Sequence, residues 1–330
     1  MAKLKLTLGC WNYDRTRGLM DGSIQADGIE LNYLNMPVEE TFFRMLRHRE
    51  FDIAEMSLSS YTVSLFKPDK PFIAIPVFPS RFFRHSSIYV NAEAGINNPQ
   101  DLIGKLVGTP EYQMTAPVWI RGILSDEYDI PYDAPLYRTG GEESPNRSEK
   151  LKLNLPGNIN IEPIGPGKTL SKMLLEGEIQ ALYTARAPSS FYQGGGRVKR
   201  LFEDYPQVEL DYYRKTSIFP IMHCVVMRRE IYNENPWIAQ SLLKAFTQSQ
   251  QLTYDDMNET AALKTMLPWM IAHLEQAKAE LGDDYWSYGY EKNKTTIATF
   301  LRYHHEQGLS PELLQPEDLF APESMESFVI

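Results

Sequence analysis

The sequence predicts a two-domain α/β clamp with two crossover strands and a helical C-terminal extension. Three observations predict it. The chain has 330 residues, more than one compact core usually serves. Strand-like and helix-like segments alternate in two successive runs, the mark of doubly wound α/β layers. Two similar segments, 84–91 and 222–228, flank the second run, as they should if the chain leaves one domain, builds another and returns.

The elements follow in order. Residues 3–8 alternate polar and apolar and read as a strand. A loop from Gly9 to Arg17 leads into a short helical stretch. Residues 28–34 again have period two. Residues 38–48 place Phe42, Phe43, Met45 and Leu46 on one helical face. Residues 51–56 form a short strand ending at Ser57, a residue suited to cap the next helix. Residues 72–78 are a buried-type strand. The second run has a helical turn and strand over 98–108 and a helix over 113–128, with Pro117 in its first turns. It continues with strand 159–164, helix 169–176 and strand 179–184, and Gly194 to Gly196 form a loop. Residues 219–228 are a further apolar strand. Helices are expected over 236–254, 259–281 and 292–308. The domains predicted are thus 1–90 with 219–330, and 91–218. The C-terminal helices are expected to pack on the first domain and to form the subunit interface of a homo-oligomer.

Composition narrows the partners. Thirty-three Lys and Arg against 43 Asp and Glu leave a net charge of −10. Without a basic run, such a chain repels nucleic acid and anionic membranes, although a cleft can still be locally basic. No stretch of about 18 apolar residues predicts a membrane span. The N-terminus runs straight into a strand and lacks a secretory pattern, which predicts a cytoplasmic protein. Two cysteines, Cys10 and Cys224, without a Cys/His cluster predict no structural zinc.

The order of elements, with Asp52 to Glu55, Asp101 to Gly108 and Leu175 to Leu182, resembles the type 2 periplasmic-binding-protein fold. More narrowly, the block Val107 to Leu124, with Ala54 to Ser57 and Phe78 to His85, resembles the 4,5-dihydroxyphthalate decarboxylase family. The resemblance implies non-oxidative removal of one carboxylate from an aromatic diacid, giving protocatechuate (3,4-dihydroxybenzoate), with no organic cofactor. It also implies that the ligand is a small aromatic dicarboxylate held in the cleft between the domains.

An aromatic diacid needs cations. Arg15, Arg81, Arg84 and Arg186 are the candidates at expected cleft edges, because a guanidinium binds carboxylate through a planar fork. Arg121 lies mid-helix and is read as supporting the fold. The helix starting near Thr115 should present backbone N–H groups and a hydroxyl to an anion. His85 and His223 begin the two crossover strands, and imidazole exchanges protons near neutrality. Glu55 and Glu111 are candidate acids, should burial raise their pKa. His48, His273, His304 and His305 fall on helices and are read as structural. No metal is predicted, since a set of His85, His223 and Glu55 has no ligand spacing behind it.

The chemistry follows from the substrate. Each carboxylate lies para to a hydroxyl. Deprotonating that phenol pushes electron density onto the carbon bearing the carboxylate. Protonation there gives a dienone, which loses CO2 and regains aromaticity. A phenol base, an acid for the ring carbon and a cationic grip on the remaining carboxylate are needed. The competing reading is a solute-binding protein for a small aromatic or carboxylate anion without turnover, which the fold alone permits equally.

Overall fold

The computed structural model describes residues 2–147 and 149–325. The chain divides into two compact units, one of Met1–Arg81, Ile221–Ile297 and Gln315–Ile330, the other of Phe82–Pro220 and Ala298–Leu314. The sequence-based boundaries therefore move. Residues 82–90, 219–220 and 298–314, expected with the first domain, group with the second unit.

The first unit begins β1 (Leu4–Cys10), α1 (Arg17–Asp21), β2 (Ile29–Asn35), α2 (Val38–His48), β3 (Ile53–Ser57), α3 (Leu58–Ser64) and β4 (Phe72–Arg81). The second unit holds β5 (Ile88–Asn91), β6 (Leu106–Thr109), α4 (Thr115–Tyr128), β7 (Leu136–Thr139), β8 (Ile161–Pro163), α5 (Leu170–Glu176), β9 (Ala181–Tyr183), α6 (Ser189–Gln193), β10 (Val198–Arg200) and α7 (Tyr205–Thr216). The chain returns to the first unit with β11 (Ile221–Arg228), α8 (Arg229–Glu234), α9 (Ile238–Asn258) and α10 (Met270–Leu281). Helix α11 (Lys294–Glu306) contains the second passage into the second unit, at Ile297/Ala298, and the chain returns to the first unit after Leu314.

The sheet of the first unit has the order β2-β1-β3-β11-β4. β1 is parallel to β2 and β3, while β11 is antiparallel to both β3 and β4. All five residues of β3 are buried, as a strand covered on both faces requires. The amphipathic helix α2 buries Thr41, Phe42, Met45 and Leu46. Phe43, expected on the same face, is exposed and lies under the Arg47 guanidinium. Ser57 accepts from the Ser60 N–H and caps α3 as expected.

The sheet of the second unit has the order β10-β5-β9-β6-β7-β8. β6, β7, β8 and β9 run parallel, and β5 joins β9 and β10 antiparallel. On one face, α5 buries Leu170, Met173 and Leu174 against Tyr89, Ile179, Leu182 and Val198. Helix α4 approaches α11 so closely at Gly122 that a Cβ there would stand 2.1 Å from the Tyr303 ring. Glycine is the residue that permits this contact.

Two expectations change. The helix predicted over 259–281 shrinks to α10. Leu267 precedes Pro268, which disfavours its helical conformation, and exposed Leu263, Met266 and Trp269 give this stretch no buried face. Helix α7 was not expected. Tyr212 is its one buried residue, so its pattern carries little amphipathic signal.

Candidate active site

In a parallel sheet, ligands bind beyond the carboxyl ends of the strands where the strand order reverses. In the first unit that point lies between β1 and β3, because β2 and β3 flank β1 on opposite sides. Cys10 ends β1 there, Trp11 follows it, and Glu55 is the middle residue of β3.

Four groups converge on Glu55, which is wholly buried. His223 Nδ1 lies 2.6 Å from Oε1. The Tyr13 hydroxyl donates to the same oxygen at 2.6 Å. Oε2 accepts from the Trp11 N–H at 3.2 Å, with Cys10 Sγ at 3.7 Å. Burial alone would raise the pKa of this carboxyl. The charge and hydrogen bond of His223, with those of Tyr13 and Trp11, outweigh it and hold Glu55 below its ordinary value. Glu55 is thus an acceptor-only carboxylate and not the acid the sequence reading allowed. It places the proton of His223 on Nδ1 and leaves Nε2 as the working nitrogen.

His223 sits on β11 opposite Ser57 of β3. Its pairing with β4 shifts register on both sides of residue 223. Such bulges re-aim side chains and recur next to active sites. The ring also packs edge-on against Phe42 of α2, with centroids 4.8 Å apart. Arg15 completes the cluster. Its guanidinium lies between the Tyr13 and Trp286 rings, 4.2 and 4.3 Å from their centroids. It donates to the Pro79 carbonyl and pairs with Asp14 at 2.9 Å. The Tyr288 hydroxyl is buried in the same neighbourhood.

The second unit has a matching reversal between β6 and β9. Thr115 is buried at the first turn of α4, which follows β6. Thr184 follows β9 and donates to Glu142, and Arg186 beside it is exposed. Arg84 is buried and donates to the Ala185 carbonyl at 3.2 Å and Ser87 Oγ at 3.3 Å, so it braces the segment that carries Thr184 and Arg186. Burial pushes its guanidinium down to about 9, against the opposing charge of Glu209.

Three sequence-based candidates lie in other surroundings than this cluster. His85 does not begin a strand. It lies in a 3-10 turn of the second unit, 2% exposed, against Phe202, Tyr212 and Tyr128. Neither ring nitrogen has a hydrogen-bond partner, and burial pushes its pKa down to about 4. Glu111 is buried in an ion cluster with Arg147 at 2.7 Å and Lys150 at 3.0 Å, and accepts from Gln113 at 2.7 Å. That cluster ties Arg147 and Lys150 to the loop before α4. Arg81 is buried and donates to the Ser287 carbonyl and Asn293 Oδ1, tying β4 to the 287–293 segment. Arg121 bonds Gln307 and the Tyr112 carbonyl inside the second unit, a structural role as read from sequence.

A 620 Å³ cavity in the first unit is lined by Tyr254, Asp284, Tyr285, Lys278 and Lys292 among others. It includes none of Glu55, His223 and Tyr13. Tyr254 and Lys292 are engaged by Asp284, and Lys278 by Asn258. The Glu55, His223 and Tyr13 cluster at the β1/β3 strand ends is therefore the candidate site. Among the described residues no three His, Cys, Asp or Glu side chains group as metal ligands, and no helix is long and apolar enough to cross a membrane.

A curated 4,5-dihydroxyphthalate decarboxylase of Comamonas testosteroni is 43% identical over 330 residues, covering all of both chains. The chain belongs to the 4,5-dihydroxyphthalate decarboxylase family. A Pseudomonas putida protein of the same name is 43% identical over 217 residues, 66% of this chain and 84% of that one. No family model matches. The fold is that of periplasmic binding proteins. The aliphatic sulphonate-binding protein of Escherichia coli superposes with a TM-score of 0.54 at 14% identity, over 97% of this chain and 98% of its own. A sulfonate-binding protein of Methylobacillus flagellatus gives 0.56 at 12% identity, over 98% and 93%. Within the decarboxylase family frame, Tyr13 is the site residue that sequence reasoning missed. It lies in the loop read only as a connection, and its nearness to the carboxyl end of β1 was the available signal.

Proposed function

We propose that the protein catalyses non-oxidative decarboxylation of 4,5-dihydroxyphthalate to 3,4-dihydroxybenzoate and CO2. The full-length identity to a protein of that name carries the reading, and the Glu55–His223 pair supplies chemistry that suits it. Nε2 of His223 takes the phenol proton para to the departing carboxylate. The ring carbon then receives a proton, the C–C bond to the carboxylate breaks, and its electrons restore aromaticity as CO2 leaves. The proton that His223 takes from the phenol is the one it returns to the ring carbon, so loss of CO2 leaves the product as a phenolate, which takes from solvent the one proton consumed per carboxylate lost. Arg15 is the cation next to this pair and is the candidate to hold the remaining carboxylate, through the N–H groups that Pro79 and Asp14 leave to it. Thr115 and Arg186, at the strand ends of the second unit, are candidates for binding carboxylate there.

We also read the protein as cytoplasmic, in keeping with a substrate consumed in aromatic catabolism, and as a homo-oligomer. The exposed apolar side chains Leu263, Met266, Leu267, Trp269 and Ile271 support the second point. The test of function is CO2 release from 4,5-dihydroxyphthalate, with and without chelator, by the wild type and by His223→Ala. Turnover in the wild type and a loss of about 10²–10⁴-fold in the variant are expected. Tight binding of the diacid without CO2 release would instead favour a solute-binding protein.

A further inference from the structure

The Glu55 carboxylate serves two donors through one oxygen. His223 Nδ1 and the Tyr13 hydroxyl both stand 2.6 Å from Oε1. The Trp11 N–H and the Cys10 thiol occupy the other oxygen. In a wholly buried carboxylate these are strong, charge-assisted contacts. Two donors on one oxygen compete for the same electron density. The stronger the hydroxyl bond, the less negative charge remains to attract the imidazole proton.

We propose that Tyr13 is a positioning residue that sets how much of the Glu55 charge His223 feels, holding the imidazole ready both to accept and to return a proton. This rests on the reading of His223 as the proton carrier. The Tyr13 phenol itself stays protonated, because burial and the neighbouring Glu55 charge push it far above its ordinary value. It is therefore a fixed donor and does not compete with His223 for the substrate proton. The geometry holds it there. Its backbone N–H bonds Thr16 Oγ1 at 3.2 Å, and the Arg15 guanidinium covers one ring face.

The groups that face this carboxylate come from several elements. Cys10 lies on β1, Tyr33 on β2 and Cys224 on β11, and Arg15 follows Tyr13 in the chain. Tyr33 is spent on the Trp11 carbonyl at 2.7 Å and Thr16 Oγ1 at 2.9 Å. Cys10, Cys224 and Tyr33 are all raised, first by burial. Tyr13 is thus the group whose hydroxyl shares the His223 oxygen.

The test is Tyr13→Phe, read in two ways. Selectively labelled histidine gives the His223 titration by NMR, assigned from the signal lost in His223→Gln. Removing the hydroxyl leaves Oε1 to His223 alone, which favours the protonated imidazole. The variant's His223 titration should therefore move to higher pH. The pH profile of kcat/KM should move upward by the same amount, with a smaller change in KM. A titration in Tyr13→Phe that coincides with the wild type overturns the inference, even where activity falls. A titration that moves while the kcat/KM profile does not would sustain the role of Tyr13 and overturn His223 as the group that governs turnover.

Discussion

Replacing His85 by leucine should stabilise the protein and flatten its response to acid. The imidazole is 2% exposed, with ring centroids 5.3 Å from both Phe202 and Tyr212. Its two nitrogens have no hydrogen-bond partner. An unmet buried polar group costs about 1–3 kcal/mol, so a leucine of similar volume should gain an amount in that range at neutral pH. Acid adds a second effect. The unfolded imidazole titrates near 6.5 and the folded one is pushed down to about 4 by burial. Between those values the unfolded state binds a proton that the folded state refuses. Stability therefore falls as pH drops below 6.5, and the loss is complete below 4. From neutral pH to pH 5 the window is about 1.5 units, or about 2 kcal/mol at 1.36 kcal/mol per unit. The assay is urea unfolding of wild type and His85→Leu at pH 7.5 and pH 5.0. The wild type should lose about 2 kcal/mol more than the variant on acidification, since titrations shared by both cancel. Equal losses would refute the neutral, enclosed imidazole. A folded variant that no longer releases CO2 would return His85 to the chemistry.

Arg15→Met should raise KM for the diacid about 10-fold or more while kcat changes less, since a lost charge-assisted grip acts on bound substrate and transition state alike; steady-state kinetics checks it. Gly122→Ala should destabilise the protein by about 1–3 kcal/mol, because the new methyl meets the Tyr303 ring at 2.1 Å. That ring cannot yield readily, being held by its hydroxyl to Asp126 and packed against Trp119. Urea unfolding checks this, and no change would mean that α4 and α11 can part at this contact without loss.

The strands and helices that carry the site were legible because their signals are local. β3 read as a short strand and β11 as an apolar one, α2 as a periodic stretch, α4 as a helix with proline in its first turns, and Ser57 as a cap. Pairing was not legible. That β11 inserts between β3 and β4, and so sets His223 beside Glu55, depends on residues 168 positions apart meeting. His85 shows the opposite failure. Its segment resembles that of His223, yet the 3-10 turn at 85–87 delays the strand to Ile88, so equal spacing in sequence places the two rings in unlike surroundings. The surroundings of Glu111 and Arg81 were not legible for a related reason. Their partners, Arg147, Lys150, Ser287 and Asn293, come from segments whose approach no local pattern announces.

The return of residues 298–314 to the second unit has a consequence for synthesis. Helix α4 packs Trp119 against Phe300 and Tyr303, and Arg121 binds Gln307. When Pro220 leaves the ribosome, those partners are still about 80 residues away, some seconds of elongation at ordinary rates. Until then a tryptophan, a glycine notch and an arginine destined for burial have nothing to cover them. The second unit is thus begun early and finished almost last, and the fragment 82–220 is a poor candidate for independent expression. Appending 298–314 to that fragment through a short linker is the natural remedy.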